Sequence, residues 1–427
     1  MRGRYFRYLF ENLDGVLFHI GSVYNKEEQK TTNYIYMVGS YYRNVLHKGN
    51  PGFYSEEEVI PEVIDVLIMG DYAVKDINKL LRIIEEHQVK AIILPYLTPI
   101  QRLVLVDEMN ESGAATEECS HFLKDPYLFL EKAGIPDIWF LYGNGPTIGW
   151  KPEGEESGVH FDSADRETLQ LIREMEGNDI PVVRAGYIIE NGWLFYFGVY
   201  GMDIYTCSNF TKDYFSQIEN VSQTSENISE DYVRQTKRLV IEFQKKFGNF
   251  PATTVIMFVG PLYADADKHE IYMTEKELSS AIQCRAWNGS LMDSGCIIRC
   301  LHHKDYDVMQ KHERGSMKGP RIGMLVLGNV NLNRYYADIR KRFLIISPRI
   351  RGIVIPNCGN GEDWNHQVLS FSPSENRVYW ICCKRDITSV GVVGDIVLSS
   401  PNNRLLMIED SQGCCLSGYI IPKEDLE

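Results

Sequence analysis

The stretch Glu62-Val-Ile-Asp-Val-Leu-Ile-Met69, followed by Gly70-Asp-Tyr-Ala-Val-Lys-Asp76, decides the fold class. The first eight residues form an apolar run rich in strand formers, and the run ends at a glycine. A helix is predicted to begin near Val74, because Ile77, Leu80, Leu81 and Ile84 recur at helical spacing. Val89–Leu94 is predicted to be the next strand, ended by Pro95. This strand–loop–helix–strand order predicts an α/β (α+β) protein whose sheet is covered by helices.

The rest of the chain divides into three zones, 1–145, 146–290 and 291–427. The first continues the alternation of strands and helices. In the second, Asn191-Gly192 is a hairpin signal between strands, and 231–247 has the apolar spacing of an amphipathic helix. The third zone is predicted to be rich in strands, with a hairpin formed by 294–300 and 322–327, a basic helix over 335–343 and a final edge strand at 418–421.

Composition limits the function classes. The chain has 427 residues, is 44% hydrophobic and carries a formal net charge of −14, which disfavours a global electrostatic contact with nucleic acid or anionic lipid. We find no apolar run long enough to span a bilayer and no signal-peptide core, and therefore predict a cytoplasmic protein without membrane contact. The ten cysteines are then expected to be reduced and buried.

Cysteine and histidine spacing argues against a structural zinc site. No C-x-x-C occurs, and Cys296 and Cys300 on one strand would lie roughly 13 Å apart. His302, His303 and His312 cluster in one polar segment, which is predicted to be a hairpin tip. A metal or phosphate site in that segment is the alternative.

The order of elements resembles the metallo-β-lactamase fold in its ComEC-like branch. The strand 62–69, its loop and its helix resemble the first half of that fold. Four later landmarks resemble the second half: Asp293-Ser-Gly-Cys-Ile-Ile-Arg299, Met324-Leu-Val-Leu-Gly-Asn-Val330, Gly352-Ile-Val-Ile-Pro-Asn-Cys-Gly-Asn360 and Val390-Gly-Val-Val393. The resemblance implies a four-layered αββα sandwich, with 1–145 and 291–427 as its halves and 146–290 as an elaborated middle segment.

The family's metal ligands are replaced at every matched position. The H-x-H-x-D-H loop corresponds to Asp71, Ala73, Lys75 and Asp76, and the bridging aspartate corresponds to Asn329. Asn357 and Cys358 stand in the Pro-His-His-Gly loop, and Val392 stands in the final Gly-His-Pro. Because hydroxide activation needs a bound ion, we predict a vestigial cleft with no catalytic residue, metal or cofactor.

Two alternatives to this interpretation stay open. The matched segments can be ordinary turns, with Asp71 near a helix N-terminus. Alternatively, Asp71, Asp76 and Asn329 can form an oxygen-rich site for Mg²⁺ or Mn²⁺.

The functional hypothesis is a catalytically inactive partner or regulatory subunit. Proteins of this branch with large middle insertions resemble bacterial anti-phage defence proteins that act with other subunits, encoded nearby. The stretch 299–351 is near +8 while the remainder is near −22, which favours docking to a complementary partner or local contact with phosphate groups. The predicted contact patch contains six basic residues: Arg334, Arg340, Lys341, Arg342, Arg349 and Arg351.

The middle zone is a second predicted contact surface, through its acidic loops and the aromatic strand residues Trp193, Phe195 and Tyr196. Core packing explains these aromatic residues equally well. An enzyme, a metal-dependent phosphodiesterase or nuclease with a non-standard metal site, is the alternative function.

Overall fold

A computed structural model gives the architecture. It describes residues 4–13, 16–39, 60–113, 116–143, 157–219, 228–247, 253–262, 269–277, 322–356, 363–371, 378–383, 396, 403–408, 414–422 and 424. The strands in chain order are β1 (Arg4–Leu13), β2 (Val16–Asn25), β3 (Lys30–Gly39), β4 (Val63–Ile64), β5 (Val66–Met69), β6 (Gln88–Val89), β7 (Ala91–Pro95), β8 (Asp137–Leu141), β9 (Gly158–Ser163), β10 (Val182–Glu190), β11 (Trp193–Tyr200), β12 (Thr254–Pro261), β13 (His269–Glu277), β14 (Gly323–Val326), β15 (Ile350–Val354), β16 (Val378–Cys383), β17 (Asn403–Ile408) and β18 (Cys414–Pro422).

The helices lie between these strands, and most of them precede β12. They are α1 (Val74–Glu86), α2 (Pro99–Ser112), α3 (Glu117–Lys124), α4 (Pro126–Lys132), α5 (Arg166–Glu176), α6 (Ile204–Glu219), α7 (Ile228–Phe247) and α8 (Leu332–Phe343), with 3-10 helices at Leu344–Arg349 and His366–Phe371. The mixed α/β class predicted from the sequence is confirmed.

One sheet of sixteen strands runs through the described chain in the order β13-β18-β1-β2-β3-β5-β7-β8-β10-β11-β12-β14-β15-β16-β17, with β9 paired to β10. It contains two parallel blocks, β3-β5-β7-β8-β10 and β14-β15-β16-β17. Antiparallel strands β11 and β12 connect the two blocks. Crossover helices are needed only between parallel strands, which explains why helices and parallel strands occur together.

Alternation along the strands divides the buried residues into three cores. Tyr34 and Tyr36 of β3 belong to an inner core, in which the β1–β8 part of the sheet contacts β11, β12 and β14–β17. Ile35 and Met37 point the other way, into an outer core shared with helices α1–α7. A third core, the α8 core, holds Leu194 and the apolar face of α8. Successive side chains on a strand point to opposite faces, so both faces of each part are covered.

Several sequence predictions of local structure are confirmed. Helix α1 begins at Val74, and the Asn191-Gly192 turn joins β10 to β11 with φ values of +55° and +72°. The predicted helices at 231–247 and 335–343 correspond to α7 and α8. The long run 62–69 divides into β4 and β5, which belong to different sheets. The four-layered metallo-β-lactamase-like arrangement stays a prediction.

Two predicted strand pairings are wrong. The segment 322–327 was expected to form a hairpin with 294–300, which lies outside the described residues, but β14 pairs with β12 on one edge and β15 on the other. A strand has only two edges, so neither is left for a hairpin partner. Strand β18 was expected at an edge, yet it lies between β1 and β13.

The middle zone contributes central strands. Strand β10 pairs with β8 of the first zone, and β12 pairs with β14 of the third. The three-zone division stays a prediction.

The burial predicted for the cysteines holds for Cys119, Cys207 and Cys382, which the structure describes as buried. Among the described helices, none combines the length and apolar character needed to cross a membrane.

Candidate functional site: a buried polar seam

Asp71 lies just beyond the carboxyl end of β5, where the two parts of the sheet meet. It is 1% exposed. The backbone N–H of Tyr72 donates to its Oδ1 over 2.6 Å, and Asn329 Nδ2 donates to its Oδ2 over 3.1 Å. Both donors are neutral N–H groups. Two hydrogen bonds therefore hold this carboxyl group without a cation among them.

Asn329 makes the connection from the other part of the sheet. It follows β14 in a turn where Gly328 has φ +58°. Its amide also donates to the Gly39 carbonyl over 2.7 Å, and its backbone N–H donates to Thr254 Oγ1 over 3.2 Å. A Cβ on Gly328 would lie 2.3 Å from Thr254 Oγ1, so this close approach needs a glycine.

Thr254, at the start of β12, completes the link. Its hydroxyl donates to the Gly70 carbonyl over 2.9 Å, and the next backbone N–H, that of Val255, donates to the same oxygen over 2.8 Å. The Tyr36 hydroxyl donates to the Val255 carbonyl over 2.6 Å. Four separate chain segments are thus hydrogen-bonded at one place.

Asp76 lies in the first turn of α1 and is fully buried. Its Oδ2 accepts from the Gly39 N–H over 2.8 Å. A Cβ on Gly39 would lie 2.2 Å from Asp76 Oδ1, which explains the glycine at the end of β3. Gly39 therefore bridges Asn329 and Asp76. We call the following set the polar seam: Gly39, Gly70, Asp71, Asp76, Thr254 and Asn329.

Burial governs the electrostatics of the seam. It raises the pKa of Asp71 to about 7, although the hydrogen bonds from Asn329 and Tyr72 act in the opposite direction. Burial, followed by the nearby Asp71 carboxyl, also raises the pKa of Tyr36 well above its usual value. The Asp71 side chain therefore changes protonation state near neutral pH.

The structure brings together three of the residues assigned to the vestigial cleft: Asp71, Asp76 and Asn329. Ala73 lies next to them, half-buried, at the N-cap of α1. Lys75 is in the first turn of α1, and the description does not extend to its side chain. Asn357, Cys358 and Val392 lie outside the described residues.

The donor set of the seam does not fit zinc. Tetrahedral zinc sites use Cys, His and carboxylate ligands, and the seam offers two aspartates and an amide whose nitrogen faces Asp71. In the part of the chain that the structure describes, no group of three or more His, Cys, Asp or Glu side chains is arranged to hold a metal ion. The oxygen atoms of the seam suit a hard cation such as Mg²⁺ better.

Of the six basic residues of the predicted contact patch, three are exposed, two are buried and one is half-buried. Arg334, Arg340 and Lys341 are exposed. Arg342 and Arg351 are buried, at 3% and 4% exposure, so their assignment to a solvent-facing patch is wrong.

Specific contacts explain why these arginines are not available to a partner. Arg342 donates to the Phe197 carbonyl over 3.0 Å, and Arg351 lies over the Tyr379 ring at 5.8 Å. Arg349 is half-buried and donates to the Leu262 carbonyl over 2.7 Å.

The aromatic surface predicted in the middle zone is also wrong. Trp193 and Phe195 have 0% exposure and Tyr196 has 1%. All eight residues of β11 are buried, because β11 is central and has the inner core on one face and the α8 core on the other. The alternative of core packing is confirmed for these three residues.

A second buried polar cluster was not anticipated from the sequence. Arg102 Nη2 is 2.6 Å from Glu176 Oε2, with both side chains less than a tenth exposed. The Tyr96 hydroxyl donates to Glu176 Oε1 over 2.8 Å. These groups line a small cavity together with Tyr72. The pair joins helices α2 and α5 across 74 residues of sequence. The sequence around Arg102 therefore gives no indication that Glu176 is its partner, and the sequence around Glu176 gives none of Arg102.

Sequence reasoning identified Asp71 and Asn329 but missed Gly39 and Thr254. The sequence signal for Gly39 is a glycine at the end of a run rich in strand formers. Such a glycine indicates where a strand ends, but it does not indicate which residues the glycine contacts. A scan of protein-family models, a search of curated proteins and a search of solved structures found no match to this chain.

Proposed function

We propose that the chain is a catalytically inactive metallo-β-lactamase-like protein that acts as a partner or regulatory subunit of a larger assembly. One observation carries the proposal. The Asp71 carboxyl group, which the family resemblance matches to a metal ligand, is bound by a backbone N–H and a side-chain amide instead.

The chemistry of the seam supports an inactive protein. A metal ligand must be deprotonated, and a bound cation stabilises the anionic form of a carboxylate. Here burial raises the pKa of Asp71 to about 7, so the seam favours the neutral form. Asn329, at the position matched to a bridging aspartate, supplies N–H donors to two acceptors. The seam thus stabilises the fold with the residues that replaced the ligands.

The subunit role rests on the family resemblance and on charge. Proteins of this branch resemble members of bacterial anti-phage defence systems, in which several subunits act together. The separation of a basic stretch, 299–351, from an acidic remainder suits a complementary partner, with phosphate groups as a further local contact. A protein of this kind would contribute a surface while another subunit supplies the chemistry.

Metal analysis tests the first half of the proposal. We expect purified protein to contain substoichiometric zinc, manganese and magnesium, and to show no rise in Tm when any of these ions is added. Asn329→Asp is the matched variant, because a third acidic group makes the seam more favourable for a cation. A full equivalent of tightly bound metal in the unmodified chain would contradict the proposal.

Co-purification tests the second half. We expect the chain to form a stable complex with the product of a neighbouring gene when the two are co-expressed. Recovery of the chain alone from all such combinations would argue against a subunit role.

The second candidate is a metal-dependent phosphodiesterase or nuclease. The observation in its favour is that two carboxyl groups lie on either side of Gly39. The Gly39 N–H donates to Asp76, and the Asn329 amide donates both to the Gly39 carbonyl and to Asp71. If this candidate is right, the chain binds manganese or magnesium tightly, and Asp71→Ala or Asp76→Ala abolishes both that binding and hydrolysis.

A further inference from the structure

We propose that the end of helix α8 and the 3-10 turn after it form the docking surface for an acidic protein partner. This inference rests on the proposed subunit function and names the surface that such a subunit would use. We call the following residues the α8 surface: Arg340, Lys341, Leu344 and Ile345.

The apolar part of the surface is a pair of consecutive aliphatic side chains. Leu344 is 55% exposed and Ile345 is 50% exposed, the highest values for large hydrophobic side chains among the described residues. Isolated exposed aliphatic residues are common, but two adjacent ones form a patch that costs free energy in water.

The backbone that presents this pair is firmly anchored. Phe343 and Ile346, on either side of the pair, have 0% exposure and belong to the α8 core. Arg342 is buried and donates to the Phe197 carbonyl. Anchored neighbours fix the positions of Leu344 and Ile345, so little ordering is required when a partner binds.

The charge next to the pair indicates what covers it. Arg340 and Lys341 are exposed in the preceding turn of α8, and Arg334 is exposed two turns earlier. The chain as a whole carries a net charge of −14, so this is a basic surface on an acidic protein. A complementary partner offers an apolar pocket for the pair, bordered by carboxylates.

A protein partner fits these observations better than an anionic bilayer. A bilayer is a broad negative surface and repels the acidic remainder of the chain wherever that remainder comes within a Debye length. A compact acidic pocket contacts only the basic residues near the pair.

Site-specific photo-crosslinking in the cells that naturally produce the chain tests the proposal. Benzoylphenylalanine is placed at position 344, at position 345, or at Ile241 of α7 as the matched control, an exposed aliphatic residue at 45% exposure. We expect positions 344 and 345 to crosslink to the same protein and position 241 not to do so. The crosslinked peptide should be rich in Asp and Glu.

Charge variants then test complementarity. We expect Arg340→Glu combined with Lys341→Glu to lower the crosslinking yield by about tenfold, since two favourable charge contacts become repulsive. Arg340→Lys combined with Lys341→Arg should preserve the yield. Circular dichroism and Tm of the purified variants establish that each one folds.

Several outcomes would overturn the inference. They are the absence of a specific protein crosslink at 344 and 345, a crosslink to a second copy of this chain, a yield insensitive to charge reversal, and charge-sensitive binding to phosphatidylserine vesicles without a protein crosslink. A stable complex that crosslinks only at other positions would overturn the α8 surface and leave the proposed function standing.

Discussion

The polar seam and the Arg102–Glu176 pair satisfy the hydrogen bonds of a buried carboxyl group in different ways. Each buries an acidic side chain between segments that are distant in sequence. Glu176 is paired with a guanidinium and a tyrosine hydroxyl, whereas the donors to Asp71 among the described residues are two neutral N–H groups. The first arrangement suits a carboxylate and the second tolerates a protonated acid, so the two regions should respond differently to substitution and to pH.

Removing the cation of the ion pair should have the largest effect. We expect Arg102→Ala to lower the free energy of unfolding by about 3 to 5 kcal/mol, because Glu176 is left as a buried, unpaired charge. Urea denaturation measures the change. Arg173→Ala is the control, since its ion pair with Asp179 is largely exposed and its loss should matter little. Equal losses in the two variants would remove the contrast.

Titration of Asp71 should reveal the effect of its neutral hydrogen-bond donors. Its folded-state pKa of about 7 is above the ordinary value of 3.8. The folded state therefore holds a proton that the unfolded state releases, and this group's contribution to stability is full below about pH 4 and is lost as the pH rises to about 7. The loss is on the order of 4 kcal/mol at most.

Comparison with Asp71→Asn isolates this contribution. Unfolding free energies of both proteins are measured from pH 4 to pH 8. The unmodified chain should lose stability relative to the variant from pH 4 to about pH 7, and the two curves should become parallel near pH 8. A constant difference across the window would mean that Asp71 is ionised throughout.

Replacing the amide donor should have an intermediate effect. Asn329→Leu keeps the branching and the number of side-chain heavy atoms but leaves both Asp71 and the Gly39 carbonyl without their side-chain donor. We expect a loss of about 2 to 3 kcal/mol, the cost of leaving buried acceptors unsatisfied, as measured by urea denaturation. Asn329→Asp should lose more stability at pH 8 than at pH 5, because a third acid in the seam is tolerated better when protonated. The reverse order would contradict a seam that favours neutral groups.

His19 sharpens the comparison because its pH dependence has the opposite sign. It is fully buried in the inner core beside the Tyr34 hydroxyl, 3.2 Å away, and burial lowers its pKa to about 3. The unfolded state then binds the extra proton, so stability is full above pH 6.5 and falls as the pH drops toward 3. Between pH 6.5 and pH 5 the loss should be about 2 kcal/mol.

The His19→Phe variant should lack this acid loss, and denaturation at the two pH values measures it. Because the pH dependences of Asp71 and His19 have opposite signs and oppose each other in the unmodified chain, the quantity to compare is the stability difference between the variant and the unmodified chain at each pH. A difference that stays constant between pH 6.5 and pH 5 would exclude a contribution from His19.

Local patterns predicted local structure well. Helical spacing of Ile77, Leu80 and Leu81 predicted α1, and Asn191-Gly192 predicted a hairpin turn, because each depends on residues a few positions apart. Which strands pair with one another was harder to predict from the sequence. The run 322–327 was recognised as a strand, but which strands occupy its two edges depends on β12 and β15, and nothing in the run itself identifies them.

Burial of polar and aromatic residues could not be predicted from residue type. Arg340 and Arg342 are two residues apart in one helix, yet the first is exposed and the second is buried against β11. Trp193 and Phe195 have the composition of a contact surface and are in fact central core residues. The deciding factor is which face another element covers, and this factor is not local.

The sequence by itself determined the mixed α/β class, α1, the β10–β11 turn and the glycine-marked strand ends, because spacing and backbone conformational preference act within a few residues. Only the tertiary structure decided that Asn329 donates to Asp71, that Thr254 donates to Gly70, and that Leu344 and Ile345 stay in water. Those outcomes depend on contacts between segments up to 258 residues apart, and such contacts exist only after the sheet has assembled.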